Sequence, residues 1–121
     1  MLINSLLDSS TVLTDLFTME NVVMKKCIKV SLINVSDVEK VFNDLKNTFV
    51  RPHFEGVAYV RDENVIECIM HGKKEVVDEA VERIQDLLIN YQLREKSDID
   101  CLVEPHIKDE DYRGVFRFIQ N

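Results

Sequence analysis

At 121 residues, 45% of them apolar and 31% charged, the chain is long enough for one ordinary domain with a real core and too apolar for a disordered one. A formal net charge of −7 argues against a nucleic-acid partner, whose affinity rests on phosphate contacts, and against docking on an anionic membrane. The densest basic cluster, Lys25, Lys26 and Lys29, is small against that balance. No apolar run approaches the roughly 20 residues that a membrane-spanning helix needs. The N-terminus lacks a basic leader region, and Asp8 and Asp15 interrupt its apolar part, so a cytoplasmic location is expected. The three cysteines agree with that: their number is odd, no two are closely spaced, and each sits among apolar neighbours.

In chain order, residues 1–24 read as a separable N-terminal helical extension ahead of a domain at 25–121. Leu2, Leu6, Leu13, Leu16 and Phe17 suggest helix, interrupted and recapped at Ser9-Ser10. A first strand is predicted over 27–33, where Ile28, Val30 and Leu32 alternate with Lys29 and Ser31. A helix follows over 36–47. Ser36 and Glu39 have capping-box spacing, and Val38, Val41, Phe42, Leu45 and Phe49 share one stripe. Pro52 ends it.

The stretch 56–88 then reads as a hairpin feeding a helix: apolar runs at 57–60 and 65–70 around a polar turn, then an amphipathic segment from about 74 to 90. Val76, Val77, Ala80, Val81, Ile84, Leu87 and Leu88 form its inner face, and Asp78, Glu79, Glu82, Arg83 and Asp86 its wet face. A polar linker at 94–98, a strand at 99–103, a charged loop at 105–111 and a last strand at 115–119 complete the chain.

The order β-α-β-β-α-β-β, with right-handed crossovers, predicts a ferredoxin-like α+β sandwich: a mixed sheet with two helices on one face. The other face must meet water, a partner or the extension. Ile33, Ile69, Leu102 and Val115 break the polar parity there, so partial burial is expected, with residues 1–23 as the cover.

Few residues point to chemistry. The cysteines fall on three strands, but no close Cys or His pair nucleates a metal site, and core cysteine is the expected role. His53, His71 and His106 lie in loops or at element ends; His71 precedes Gly72 near a helix start, where free N–H groups attract anions. Asp109, Glu110 and Asp111 lack the alternating ligands and glycine of a calcium loop. Phosphate-cradling GxxxxGK and nucleophile-elbow patterns are absent. Arg113 and Arg117 flank an aromatic strand and could clamp a carboxylate or phosphate. The candidate binding residues are therefore Arg113, Arg117 and His71, with no catalytic or metal residue assigned.

The segments CIKVS (27–31), EGVAYVRDENVIECIMHGKKEVVDEAVERI (55–84) and DYRGVFRFI (111–119) resemble the BLUF family of flavin-based blue-light sensors. The resemblance implies the ferredoxin-like fold. It places the family's photoactive tyrosine at Lys29, its glutamine at Cys68, its flavin-holding asparagine near Thr48 or Phe49, and the glutamate of its glutamate-glycine pair at His71. Acylphosphatases resemble the same hairpin-helix stretch; their glycine-rich arginine loop corresponds to LINVSDVEK (32–40) and their hairpin asparagine to Asp62. The expected function is a non-catalytic regulatory or protein-interaction module on a BLUF-like fold that has lost flavin photochemistry. It would bind no cofactor, and its partner would be another protein or a second copy of itself in a homodimer. A flavin-binding sensor with an atypical site and an acylphosphatase-like small hydrolase are the alternatives.

Overall fold

The computed structural model describes residues 23–107 and 113–120. Five strands and two helices lie among them: β1 (Lys25–Ile33), α1 (Val38–Thr48), β2 (Glu55–Asp62), β3 (Val65–Lys73), α2 (Lys74–Glu95), β4 (Asp100–Pro105) and β5 (Phe116–Ile119). The sheet order is β4-β1-β3-β2-β5. Antiparallel ladders join β1 to β3, β1 to β4 and β2 to β3, while β5 runs parallel to β2. Each helix therefore links two parallel strands with another strand between them, and the chain is a ferredoxin-like α+β sandwich with a mixed sheet.

Period-two patterning decides which side each strand buries. Across the middle of the sheet Val30 faces Cys68 and Cys68 faces Ala58; Leu32 faces Ile66, and Ile28 faces Met70. These side chains form the helix-covered layer, with Val41, Phe42 and Leu45 from α1 and Val77, Ala80, Ile84, Leu88 and Tyr91 from α2. Phe116 and Phe118 of β5 join it edge-on: Phe118 meets Phe42 at 5.6 Å between ring centroids, and Phe116 meets Phe54 at 4.8 Å. The expected inner face of α2 holds for Val77, Ala80, Ile84 and Leu88, whereas Val76, Val81 and Leu87 are only partly buried.

Local boundaries differ where side chains compete. The cap of α1 is Asp37, whose carboxylate accepts from the Lys40 N–H at 3.2 Å, so Ser36 is not the cap and the helix begins at Val38. Asp and Ser serve equally well there, and the backbone at Asp37 decided. The α2 helix runs past its expected end near Asn90 to Glu95, two residues into the expected linker, because Tyr91 adds a buried position beyond Leu88. It ends at Lys96, whose φ of 54° is left-handed. Strand β4 continues through Pro105, where a loop was expected, since an edge strand tolerates proline.

On the sheet face away from the helices, Val57, Val65 and Ile69 are buried and Ile33 is half-buried, whereas Leu102 and Val115 are exposed. The expected extension at 1–24 lies outside the described residues except for Val23 and Met24. The Met24 carbonyl accepts from the Lys74 N–H at 2.8 Å, tying the entry of β1 to the start of α2.

Asp78 reinforces that junction, accepting from Lys26 at 2.5 Å and Lys74 at 2.7 Å. The Lys26 hydrogen bond, then that of Lys74, hold its carboxyl below the usual carboxylate range. A depressed native pKa adds stability above the unfolded value and loses it as pH falls through the native one. Asp78→Asn should therefore lower the melting temperature at pH 7, with the difference from wild type shrinking to nothing in strong acid. A difference that persists unchanged below pH 3 would assign Asp78 a packing role instead.

Candidate functional site

The face of the sheet away from the helices carries two polar rows, and between them a row that is apolar at its centre and charged at its ends. In the first, Cys27, His71 and Glu55 stand directly opposite one another on β1, β3 and β2. His71 Nδ1 lies 3.2 Å from Glu55 Oε1, and Glu55 Oε2 accepts the Gly114 N–H at 2.6 Å. Glu55 thus fastens β3 to the turn that introduces β5, and this brings the Arg113 segment beside His71. A cleft of about 380 Å³ opens at this end of the sheet, edged by Lys25, His53, Glu55, His71 and Lys73.

The middle row reads Glu104, Lys29, Ile69, Val57 and Arg117 across the five strands. Arg117 occupies its exposed end, one row away from His71. Of the three residues singled out from sequence, the fold thus draws His71 and the Arg113 turn together through Glu55. Arg117 stands on the same face but outside that contact. His71 itself lies within β3, and the first N–H of α2 is spent on the Met24 carbonyl.

The second polar row is Ser31, Glu67 and Tyr59. Glu67 is only 3% exposed. Tyr59 Oη donates to one carboxylate oxygen at 2.6 Å and Arg61 Nη1 to the other at 2.8 Å. Arg61 is the extra residue of a bulge between Val60 and Asp62. A carboxylate in that setting requires such partners, since an unpaired buried charge is costly. Sequence reasoning missed Glu67 and Glu55. The signal for Glu67 was its place between Val65 and Ile69, two apolar residues of the same parity.

The cysteines divide between the faces. Cys68 and Cys101 lie on the helix side, opposite Val30 and Leu32, and Cys27 lies on the other. Burial pushes the Cys68 thiol up to about 12, as befits an inert core residue. Among the described residues no His, Cys, Asp and Glu side chains gather in threes as a metal-ligand set. The acidic triplet 109–111 lies outside them.

The same parity corrects the register implied by the BLUF resemblance. Lys29 pairs with Ile69 on the open face, whereas Cys68 points under the helices, so the two cannot flank one ligand; the β1 neighbour of Cys68 is Val30. Between the helices, Phe42, Leu45, Val77 and Ile84 are wholly buried. Above them α1 and α2 are laced together. Lys40 pairs with Glu95, Tyr91 Oη donates to Asp44, and Arg83 donates to the Thr48 carbonyl at 2.7 Å while lying 5.3 Å above the Phe49 ring. Burial and then the Asp44 hydrogen bond push the Tyr91 hydroxyl pKa upward.

The loop from β1 to α1 is likewise occupied. The Val35 N–H donates to the Asn64 carbonyl at 2.9 Å, and Asn64 Nδ2 donates back to the Val35 carbonyl at 3.2 Å. Asn64, a turn residue not singled out from sequence, clasps this loop to the β2–β3 turn.

No family model matches the chain, and no curated protein matches it. Among solved structures, an acylphosphatase from Bacillus subtilis aligns at a TM-score of 0.49 and 14% identity, over 79% of this chain and 99% of that one. BlsA in its photo-activated state aligns at 0.49 and 18% identity, over 81% and 71%. A bacterial light-regulated adenylyl cyclase aligns at 0.49 and 17% identity, over 80% of this chain and 28% of the cyclase. The structural neighbours thus include both an acylphosphatase and light-responsive proteins.

Proposed function

We propose that the chain is a non-catalytic regulatory or protein-interaction module on a BLUF-like fold without flavin photochemistry. The observation that carries this reading is a group of exposed apolar side chains at the β4 edge of the sheet, continued on the helix side by the adjacent stripe of α2. On the helix side Val103 is 43% exposed and Leu93 78%, and Ile89 also faces outward; Leu102, 50% exposed, lies on the opposite face of the same edge strand. Exposed apolar surface concentrated in one place marks a contact surface more often than a scatter of single residues does.

Two further features support the non-catalytic half. A flavin ring needs a slot and amide-like partners for its edge. The space between α1 and α2 is filled by Phe42, Leu45, Val77 and Ile84, and the strand residues beneath, Val30 and Cys68, offer at most a weak hydrogen bond. An acyl phosphate needs a loop of open N–H groups with a cation. In the β1–α1 loop the Val35 N–H is already spent on Asn64, and residues 32–37 include no arginine.

The test is direct. Purified protein is mixed with FAD or FMN, freed of unbound flavin, and its visible spectrum recorded; a parallel sample is assayed for acyl phosphate hydrolysis. Neither retained flavin nor turnover above buffer is expected. Stoichiometric flavin would establish the sensor reading in its place, and turnover the hydrolase reading.

A further inference from the structure

We infer that β4 is the docking strand for a second copy of this chain, paired antiparallel about a two-fold axis at Val103. The inference rests on the protein-interaction reading and names the partner of its exposed edge.

Strand β4 is one edge of the sheet, and β1 is its neighbour on the inner side. The His106 N–H donates to the Cys27 carbonyl at 3.0 Å. Antiparallel strands turn alternate residues toward the same neighbour. Asp100, Leu102 and Glu104 therefore address β1 with their backbone, and Cys101, Val103 and Pro105 address the open edge. On that edge Cys101 and Val103 each present an N–H and a carbonyl, and Pro105 presents a carbonyl alone. Such an edge pairs with another strand unless something prevents it.

Which pairing is allowed follows from the residues. Keeping the helix layers of both copies on one side of a continuous sheet sets like-facing residues opposite one another. With the axis at Leu102, Asp100 of each copy would face Glu104 of the other, a repulsion repeated on both sides of the axis. With the axis at Glu104, that carboxylate would meet its own copy, and Pro105 would remove donors at the centre. With the axis at Val103, the Val103 N–H and carbonyl exchange bonds with those of the second Val103, and each Cys101 N–H reaches a Pro105 carbonyl. Asp100 then stands opposite His106, and Leu102 packs on the stem of Glu104. Proline is usually a device against edge pairing; at position 105 it narrows the choice and, in this register, is asked mainly to accept.

The surroundings fit the same axis. On the helix side a groove between α2 and β4 is lined by Gln85, Leu88, Ile89, Gln92, Ile99 and Cys101. The two-fold brings the second α2 stripe, with its own Ile89 and Leu93, toward that groove, and Val103 closes the seam below.

The experiment uses the full chain in sedimentation velocity over a range of concentrations. Wild type is expected to shift with concentration toward twice the 14.1 kDa chain mass. Val103→Lys places like charges on the axis at a site already exposed in the monomer; it is expected to sediment as a monomer with an unchanged circular dichroism spectrum. Val103→Cys is expected to form an interchain disulfide under mild oxidation, because facing residues in such a pair have Cα atoms about 5.5 Å apart. Wild-type Cys101, set opposite Pro105, should not cross-link. If Val103→Lys fails to fold, the Val103→Cys cross-link decides. A wild type that stays monomeric, a dimer that survives Val103→Lys, or a dimer in which Val103→Cys does not cross-link each overturns the inference. A monomeric wild type that also holds no flavin and cleaves no acyl phosphate overturns it while leaving the non-catalytic reading in place.

Discussion

Gly56→Ala should destabilise the domain by about 3 kcal/mol or more in chemical denaturation, enough to unfold a marginal protein of this size. Gly56 adopts a φ of 145°, a region closed to residues with a side chain. A Cβ there would lie 1.8 Å from the Ile69 carbonyl oxygen and 2.8 Å from its carbon. Both are backbone atoms of the adjacent strand, so no rotamer change relieves the clash. The Gly56 N–H also donates to the Val115 carbonyl at 2.8 Å, where β5 joins the sheet, so a shift of β2 would loosen both neighbours. Gly114 is the internal control. Its φ is 75°, but a Cβ there meets nothing within 4 Å. Gly114→Ala should cost only the backbone strain, about 1–2 kcal/mol. Equal effects at the two glycines would mean that β2 does not approach Ile69 as closely as described.

Ile84→Ala should cost about 2–5 kcal/mol, the range for truncating a wholly buried branched side chain that leaves a cavity. Ile84 sits in the middle of α2 with no exposed surface. Two positions away, Glu82 is exposed on the same helix, and Glu82→Ala should stay within about 0.5 kcal/mol of wild type. The pair of substitutions changes nothing else about helix length or capping, so urea melts of the two read burial alone. Comparable losses would place the wrong face of α2 against the sheet.

The success of the sequence reading was uneven in a way that hydrophobic periodicity explains. The stripes of α1 and α2 and the alternation in β1 depend on residues three, four or two positions apart, and the burial of Phe42, Leu45, Val77, Ile84, Val30 and Leu32 follows from them. The α+β class and the two-helix, one-face arrangement come from element order and the handedness of crossovers. Boundaries were less legible. Asp37 and Ser36 are both good caps, and only the backbone chose between them. Tyr91 reads as the polar end of a helix until Asp44 of α1 is brought beside its hydroxyl.

What the local pattern could not contain is any relation across the sheet. Cys68 and Lys29 look equally well placed to face a ligand, because sequence gives each strand its own parity but not the parity of one strand against another. Only the pairing of Lys29 with Ile69 puts Lys29 and Cys68 on opposite sides. Glu67, in the midst of the apolar run 65–70, has no local reason to be buried as a charge; Tyr59 and Arg61 on the facing strand supply it. Glu55 likewise acquires its role from His71 and Gly114, far away in the chain. By itself the amino-acid order determined which residues avoid water and with what period, since that is a property of neighbours along one strand or helix. Tertiary structure decided which polar groups meet, because the energy of a buried charge or a shared hydrogen bond depends on partners that only strand register brings within about 3 Å.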